Sequence, residues 1–379
     1  MLEVVQQNKT SNFAKMEPEN KYTIQGLDEY LRQSEPSMQQ RGGIWQTSIG
    51  LQQVDGLTPS EYLLQTARRH IDGDIDLPQA KELIDSYYRT DEGRKQTDAE
   101  RTEEADKVSV RIAELLSENT FAFTPAQYTT IHRRLFEGLF KFAGHLRDYN
   151  ITKREWVLAG DTVLYSSHEL IAPTLDYDLG QERAFDYSTI GIDQSISHLA
   201  RFCSGLWQIH AFGEGNTRTT AVFMIKYLRS LGFNVGNEPF AKHSWYFRNA
   251  LVRANYNNLP QNIQATTVYL ERFFRNLMLG EQNVLRNSEL HINWQLLSPS
   301  ESANQSAESA LKCKNCTLEE TAVLKAIESN PSITQKEIAE QIGKSERTVK
   351  SITVRLTERG LIVRENGRRN GHWKIIKKD

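Results

Sequence analysis

Cysteine is scarce: three in 379 residues cannot staple a secreted scaffold. No run approaches the roughly 18 apolar residues that span a bilayer. The opening MLEVVQQNKT has neither the basic nor the apolar region of a secretory leader. Net charge is also nearly absent, since 46 Lys and Arg against 48 Asp and Glu leave −2. That balance argues against a polyanion-coating protein while leaving room for a local patch. Together these absences predict a cytoplasmic chain with no membrane partner. What is present is ordinary for a folded protein: 39% apolar and 25% charged residues. At roughly 150 residues per domain, the length predicts two or three domains.

The pattern along the chain divides it. Residues 1–41 are polar and mixed, with one apolar-spaced piece, LDEYL, and read as a loosely packed arm. Residues 42–104 read as short amphipathic helices broken by Gly56, Pro59, Gly73 and Pro78. From 105 to 285 the helical period dominates: Ala105, Val108, Ile112 and Leu115, then Tyr128, Ile131, Leu135 and Leu139, then Ile192 to Leu206 and Val222 to Leu228. One stretch breaks it, the β-branched and aromatic TVLY at 162–165, which reads as a short hairpin. Residues 286–316 contain the serine-rich SPSESANQSAESA and read as a linker, and 317–379 as a separate small domain. Cys313 and Cys316 form a single C-x-x-C, too few ligands for zinc, and Cys203 reads as a core residue.

The most informative run is His210-Ala-Phe-Gly-Glu-Gly-Asn-Thr-Arg218, between two helical stretches. Glycines let backbone N–H groups approach a phosphate, and a following helix adds its positive N-terminal end. Arg218 is suited to clamp a phosphate, Glu214 to hold magnesium and His210 to accept a proton from an attacking hydroxyl. Singly, a histidine at a helix end is more often a cap and a glycine loop more often a plain turn. At this spacing the functional reading prevails.

HAFGEGNTR resembles the signature loop of Fic-domain proteins, and IHRRLFEGLFKFAGHLRDYN resembles the family's preceding helix, which ends in Ala-Gly-x-x-Arg. The resemblance covers roughly residues 105–280. It implies an all-α Fic core with a short β-hairpin flap, and transfer of AMP from ATP, with Mg2+, to a Ser, Thr or Tyr hydroxyl of a target protein, the chain itself included. By position it makes His210 the general base and Glu214 the metal ligand. Gly215 and Asn216 become the α-phosphate anion hole, with Gly213 and Thr217 beside them, and Arg218 the holder of the next phosphate. Phe212 becomes the core anchor of the loop. The flap, Val163, Leu164 and Tyr165, lines the nucleotide and aligns the target as an added strand. SWYFRNALVRANY resembles the adenine-side helix, where Tyr246, Phe247 and Asn255 are candidates for the base pocket, with core packing the more usual role for two such aromatics.

The chain departs from the family at Ala211, where proline is usual, and at Ala221, where a second arginine is expected. LQQVDG at 51–56 resembles the family's inhibitory helix, with Asp55 in place of its glutamate, and makes 42–104 an N-terminal helical regulatory segment. Ala221 keeps a different nucleotide donor open. A further alternative is a DNA-binding regulator whose Fic core senses a nucleotide without transferring it.

Residues 317–379 hold 13 Lys and Arg against 9 Asp and Glu, a net +4 that leaves −6 on the rest of the chain. Thr334-Gln-Lys-Glu337 reads as a capping box opening one helix, and Ser345 caps a second after a turn at Gly343. Leu361 to Val363 and Trp373 to Ile375 read as two strands around a basic turn. This segment resembles a winged helix-turn-helix domain, with Arg347, Thr348, Lys350 and Ser351 on the recognition helix and Arg368 and Arg369 on the wing. That fold serves DNA contact, protein docking or dimerisation, so DNA and a homodimer partner are both expectations of the resemblance.

Overall fold

A computed structural model describes residues 24–32, 36–94, 99–233, 235, 238–294, 316–365 and 371–376. Residues 1–23 of the arm, most of the linker, Cys313, and Arg368 and Arg369 lie outside the described residues. The chain divides into two compact units, Met1–Ala113 and Glu114–Asp379.

The first unit contains α1 (Ile24–Arg32), α2 (Pro36–Gly50), a 3-10 turn (Leu51–Asp55), α3 (Glu61–Asp72), α4 (Leu77–Tyr87), the short α5 (Asp91–Arg94) and most of α6 (Ala99–Ser117). Its core gathers Trp45, Leu63, Ala67, Ile71, Ala80, Ile84 and Val110. Residues 24–32 and 36–41 are not a loose arm, for they belong to α1 and α2. Leu27 and Leu31 of LDEYL are buried on α1, and a Cβ at Gly42 would stand 2.0 Å from the Leu31 side chain, so the bare glycine is what lets α1 approach α2. Cap chemistry bounds the next helices: Ser60 accepts from Leu63 N–H at α3, and Asp76 with Gln79 forms a capping box at α4. Asp55 ends the 3-10 turn half-buried, and Arg101 donates to its backbone carbonyl at 3.1 Å.

The second unit is helical apart from one hairpin. It continues with α7 (Pro125–Phe136), α8 (Ile171–Ala184), α9 (Ile192–Ile209), α10 (Asn216–Ser230), α11 (Glu238–Ala254), α12 (Val268–Phe274, followed by a π-turn at Arg275–Leu279) and α13 (Asn287–Leu290). Then come α14 (Leu318–Ser329), α15 (Gln335–Gln341), α16 (Glu346–Glu358), β1 (Ile362–Glu365) and β2 (His372–Ile375). α9 and α10 form the centre, with Leu199, Cys203, Leu206, Val222, Phe223 and Met224 wholly buried. The amphipathic period on α7 and α9 does what the sequence pattern demands, whereas α10 is buried on all sides from Asn216 to Leu228, as befits the central helix.

The C-terminal segment is a winged helix. Its capping boxes are present, Thr317 with Glu320 on α14 and Thr334 with Glu337 on α15, and Ser345 caps α16 by accepting from Thr348 N–H. β1 and β2 pair antiparallel with Ile362 opposite Ile375. Trp373 pins the sheet to the helices by donating from Nε1 to the Ile333 carbonyl at 3.0 Å. This segment packs directly on the Fic-like helices. Thr317 pairs with Gly191 as an isolated bridge, Ile192 N–H donates to the Cys316 carbonyl at 2.8 Å, and Lys325 Nζ donates to the Leu279 carbonyl at 2.5 Å.

The sequence reading of 162–165 as a hairpin needs correction. The only ladder among the described residues is β1 with β2. TVLY pairs with no strand: the Leu164 carbonyl accepts from Gln208 Nε2 of α9 at 2.9 Å, and the N–H of Ser166, just beyond it, donates to the Gln208 carbonyl. β-branched and aromatic composition favours extension, and it does not supply a neighbour to pair with.

Candidate active site

α9 ends where the candidate base begins. His210 is its C-cap residue, in the left-handed region at φ 50°, a conformation that costs a non-glycine residue about 1 kcal/mol or more and persists only where surroundings hold it. Arg147 is the holder. Its Nε donates to the His210 carbonyl at 2.7 Å, one terminal nitrogen to Tyr149 O at 2.6 Å, and the other to the carbonyls of Ser166 and Ile209. Its own N–H reaches the Ala211 carbonyl at 2.9 Å. These carbonyls include the ones a helix C-terminus leaves unpaired.

The His210 ring is only 3% exposed, yet neither ring nitrogen has a hydrogen-bond partner. Tyr165 lies over it at 4.2 Å between ring centroids, and Trp207 meets it edge-on at 5.5 Å. Burial, then the charges of Lys153, Arg147 and Arg248, hold the imidazole well below the usual histidine range. At neutral pH it is therefore an uncharged acceptor with a free lone pair, the state a general base requires.

The loop after it is stapled from several sides. Asn216 and Phe212 exchange two hydrogen bonds, Phe212 N–H to Oδ1 at 3.0 Å and Nδ2 to the Phe212 carbonyl at 2.7 Å. The Asn216 side chain is thus engaged within the loop, and its backbone N–H is the group left at the start of α10. His132 stacks on Phe212 at 3.7 Å between centroids. Its Nδ1 accepts from Gly144 N–H at 2.8 Å, which places the ring proton on Nε2, where it donates to the Glu214 carbonyl at 3.0 Å. Trp207 Nε1 donates to Thr217 Oγ1 at 3.0 Å.

Gly215 sits at φ 77°, and a Cβ there would stand 2.3 Å from the Phe136 ring, so two independent constraints demand glycine. No side chain caps α10, whose N-terminus faces the loop. Arg218, 1% exposed, lies over the same Phe136 ring at 4.8 Å. Ala221 is fully buried further along α10.

Glu214 points outward, its carboxylate held by Lys153 Nζ at 3.0 and 2.9 Å. In the flap segment, Val163 is buried, Leu164 is 83% exposed and Tyr165 is half-buried, donating to Glu155 Oε1 at 3.2 Å. Glu155 in turn forms a two-point pair with Arg248 of α11, at 2.7 and 3.2 Å.

The adenine-side residues divide. Tyr246 and Phe247 are wholly buried, Phe247 packed between Phe240 and Phe273 and Tyr246 donating to the Tyr269 carbonyl. They are core residues of the α11–α12 pair, the packing role the sequence also offered, and not the base-pocket residues that the resemblance made them candidates for. Asn255 is half-buried and donates to the carbonyls of Leu251 and Ser204, tying the end of α11 to α9. Arg147, His132, Lys153, Glu155 and Arg248 had no role in the sequence reading. For Arg147 a signal existed, the Ala-Gly-x-x-Arg ending of the preceding helix.

Burial pushes His132 down to about 4, with Arg218 adding to the effect. The unfolded chain then binds the proton first as pH falls, so this residue's contribution is intact above about 6.5 and is lost through about 4. Acid unfolding followed by circular dichroism should show stability falling across that window by about 3 kcal/mol more in the wild type than in His132→Gln, compared with each protein's own value at pH 7. Equal losses would remove His132 from the account.

On the winged helix, Arg347, Lys350 and Ser351 are exposed on α16, whereas Thr348 is half-buried and engaged with Ser345 Oγ at 2.8 Å. Arg347, Thr348, Ser351 and Arg355 line a cleft of about 620 Å³ that also includes Ser188, in the turn between α8 and α9.

Residues 122–228 match the model of the Fic/DOC family, and residues 320–363 that of winged helix-turn-helix DNA-binding domains. The chain therefore carries a Fic domain followed by a winged helix-turn-helix domain. Among solved structures it is similar to a Fic family protein from Desulfovibrio desulfuricans G20, at 12% identity and a TM-score of 0.41, covering 96% of this chain and 98% of that one. No curated protein matches it. None of its described helices is long and apolar enough to cross a membrane.

Proposed function

We propose that this chain is a protein nucleotidyltransferase that moves AMP from ATP to a Ser, Thr or Tyr hydroxyl of a protein. The observation that carries the reading is His210, a buried, uncharged imidazole with both nitrogens unengaged beside an uncapped helix N-terminus. The acceptor oxygen forms its bond to the α-phosphorus, the bond from that phosphorus to the oxygen bridging to the β-phosphate breaks, and pyrophosphate departs. The hydroxyl proton passes to His210. Backbone N–H groups at the start of α10 and the Arg218 guanidinium meet the charge on the phosphates. The Tyr165 ring packs against the imidazole at 4.2 Å between centroids.

Glu214 is the residue to hold magnesium. One half-exposed carboxylate fits an ion whose remaining ligands are phosphate oxygens and water. Bound there, magnesium supplies charge neutralisation on the phosphates. The test is transfer of α-labelled ATP, with magnesium, to lysate proteins and to the chain itself, by wild type and by His210→Ala. Label on a protein band that depends on His210 supports the reading, and nucleotide binding without a covalent product supports a sensor.

A second reading concerns the C-terminal domain. Its match to DNA-binding winged helices, with Arg347, Lys350 and Ser351 exposed on α16, supports DNA contact. The expected result is duplex binding that weakens steeply with salt and loses part of that slope in Arg347→Ala. Binding indifferent to salt and to Arg347 would make this face a protein-docking surface.

A further inference from the structure

The phosphates of a nucleotide carry several negative charges into this site, and the signature loop offers one cationic side chain, Arg218. Three other cations stand close enough to act on His210: Lys153, Arg147 and Arg248. They differ in what it would cost to redirect them. Arg147 is 5% exposed and spends its guanidinium on the carbonyls that hold the His210 turn. Arg248 is locked to Glu155, itself 1% exposed, and parting a buried pair leaves an uncompensated buried charge.

Lys153 is different. Its partner is Glu214, whose side chain is 53% exposed. A pair in such surroundings is weak, because water screens the carboxylate and solvates it when the lysine leaves. It is also the one cation whose partner is the carboxylate assigned to magnesium.

The geometry points to Lys153 as an exchangeable nucleotide-binding residue: it holds the Glu214 carboxylate while the site is empty, gives that carboxylate up to the metal, and then pairs with a phosphate oxygen of the incoming nucleotide. This rests on the nucleotidyltransferase reading and adds a residue to its phosphate site. The exchange replaces one ammonium–carboxylate pair with an ammonium–phosphate pair and a metal–carboxylate bond, so no charge is stranded. A flexible stem with a point charge suits this hand-over better than a planar guanidinium. Its backbone position, in the segment that leads into the Glu155 turn and the flap, places the exchange where the nucleotide is expected to enter.

The experiment uses the full chain and two probes, Mn2+ alone as a spectroscopic stand-in for magnesium, and Mn2+ with an ATP analogue whose α–β bridging oxygen is replaced by a methylene. Free Mn2+ is followed by electron paramagnetic resonance. Lys153→Gln should bind Mn2+ alone more tightly, by up to about fivefold, because the internal competitor is gone. The same variant should bind the Mn2+–analogue complex about tenfold more weakly, with Lys153→Arg recovering part of that loss. In a Glu214→Gln background, Lys153→Gln should bring no gain in Mn2+ affinity. Unchanged metal affinity in Lys153→Gln would overturn the hand-over, and so would equal weakening toward both probes, which marks a merely structural lysine. If the wild type fails to bind the complex in a Glu214-dependent way, the nucleotidyltransferase reading falls and takes this inference with it. Binding that depends on Glu214 but not on Lys153 sinks the inference alone.

Discussion

His210→Ala should lower the rate of label transfer by about 10²–10⁴-fold while leaving nucleotide affinity within a few-fold of wild type. The magnitude follows from the role. Neither ring nitrogen makes a hydrogen bond, so removing the ring deletes proton acceptance without dismantling a hydrogen-bond network. The αL backbone at this position is held by Arg147, which acts on the carbonyl and is indifferent to the side chain. The substitution opens a cavity under Tyr165 and beside Trp207, so some stability is lost. A Tm measured alongside separates that loss from the catalytic one. A second signature is the acid limb. Because the imidazole stays uncharged well below the usual histidine range, kcat/KM should hold steady from pH 7.5 to 6.5. A fall beginning near 6.5 would mean that the buried ring is hydrated in solution or is not the base.

Arg147→Ala should be the most damaging single change outside the signature loop. It strips donors from the carbonyls of Tyr149, Ser166, Ile209 and His210 together. Each buried carbonyl left unsatisfied costs roughly 1–3 kcal/mol, moderated where water enters. A total of about 3–5 kcal/mol is expected, a fall in Tm on the order of 10 °C for a unit of this size. Transfer should fall with it, since the His210 turn and the flap both hang from this guanidinium. Arg147→Lys should not rescue, because one ammonium cannot reproduce a planar fork reaching several carbonyls. Wild-type Tm and transfer in Arg147→Ala would show that the turn is held by the loop alone.

Much of this site was legible in the sequence because its chemistry is local. Glycines, an acid, an amide and an arginine within nine residues of His210 fall on one loop whatever the tertiary structure does. The same holds for the winged helix, where the Thr334–Glu337 box and the Ser345 cap are contacts three residues apart. The parts that sequence reasoning missed are long-range. Arg147 reaches across 63 residues to the His210 carbonyl and Lys153 across 61 to Glu214, and no periodicity reports such pairings.

What the pattern left open, or placed wrongly, has physical causes as well. An aromatic pair on a helix has one appearance whether it lines a pocket or fills a core, and on α11 the rings of Phe240 and Phe273 decided it for Phe247. TVLY has strand composition, but the nearest partner for its backbone was the end of α9. In LDEYL the period was visible, and what it packs against was not, because the decisive feature is the absence of a side chain at Gly42. The bare histidine nitrogens could only be found in three dimensions.

The most direct measurement of the central claim compares ATP labelled at the α-phosphate with ATP labelled at the γ-phosphate in the same transfer reaction, wild type against His210→Ala. The account predicts α-label on the target protein, γ-label released in pyrophosphate, and neither on protein with the variant. γ-Label on the target would mean phosphoryl transfer, and tight ATP binding with no label of either kind on any protein would mean that this Fic core reads the nucleotide without spending it.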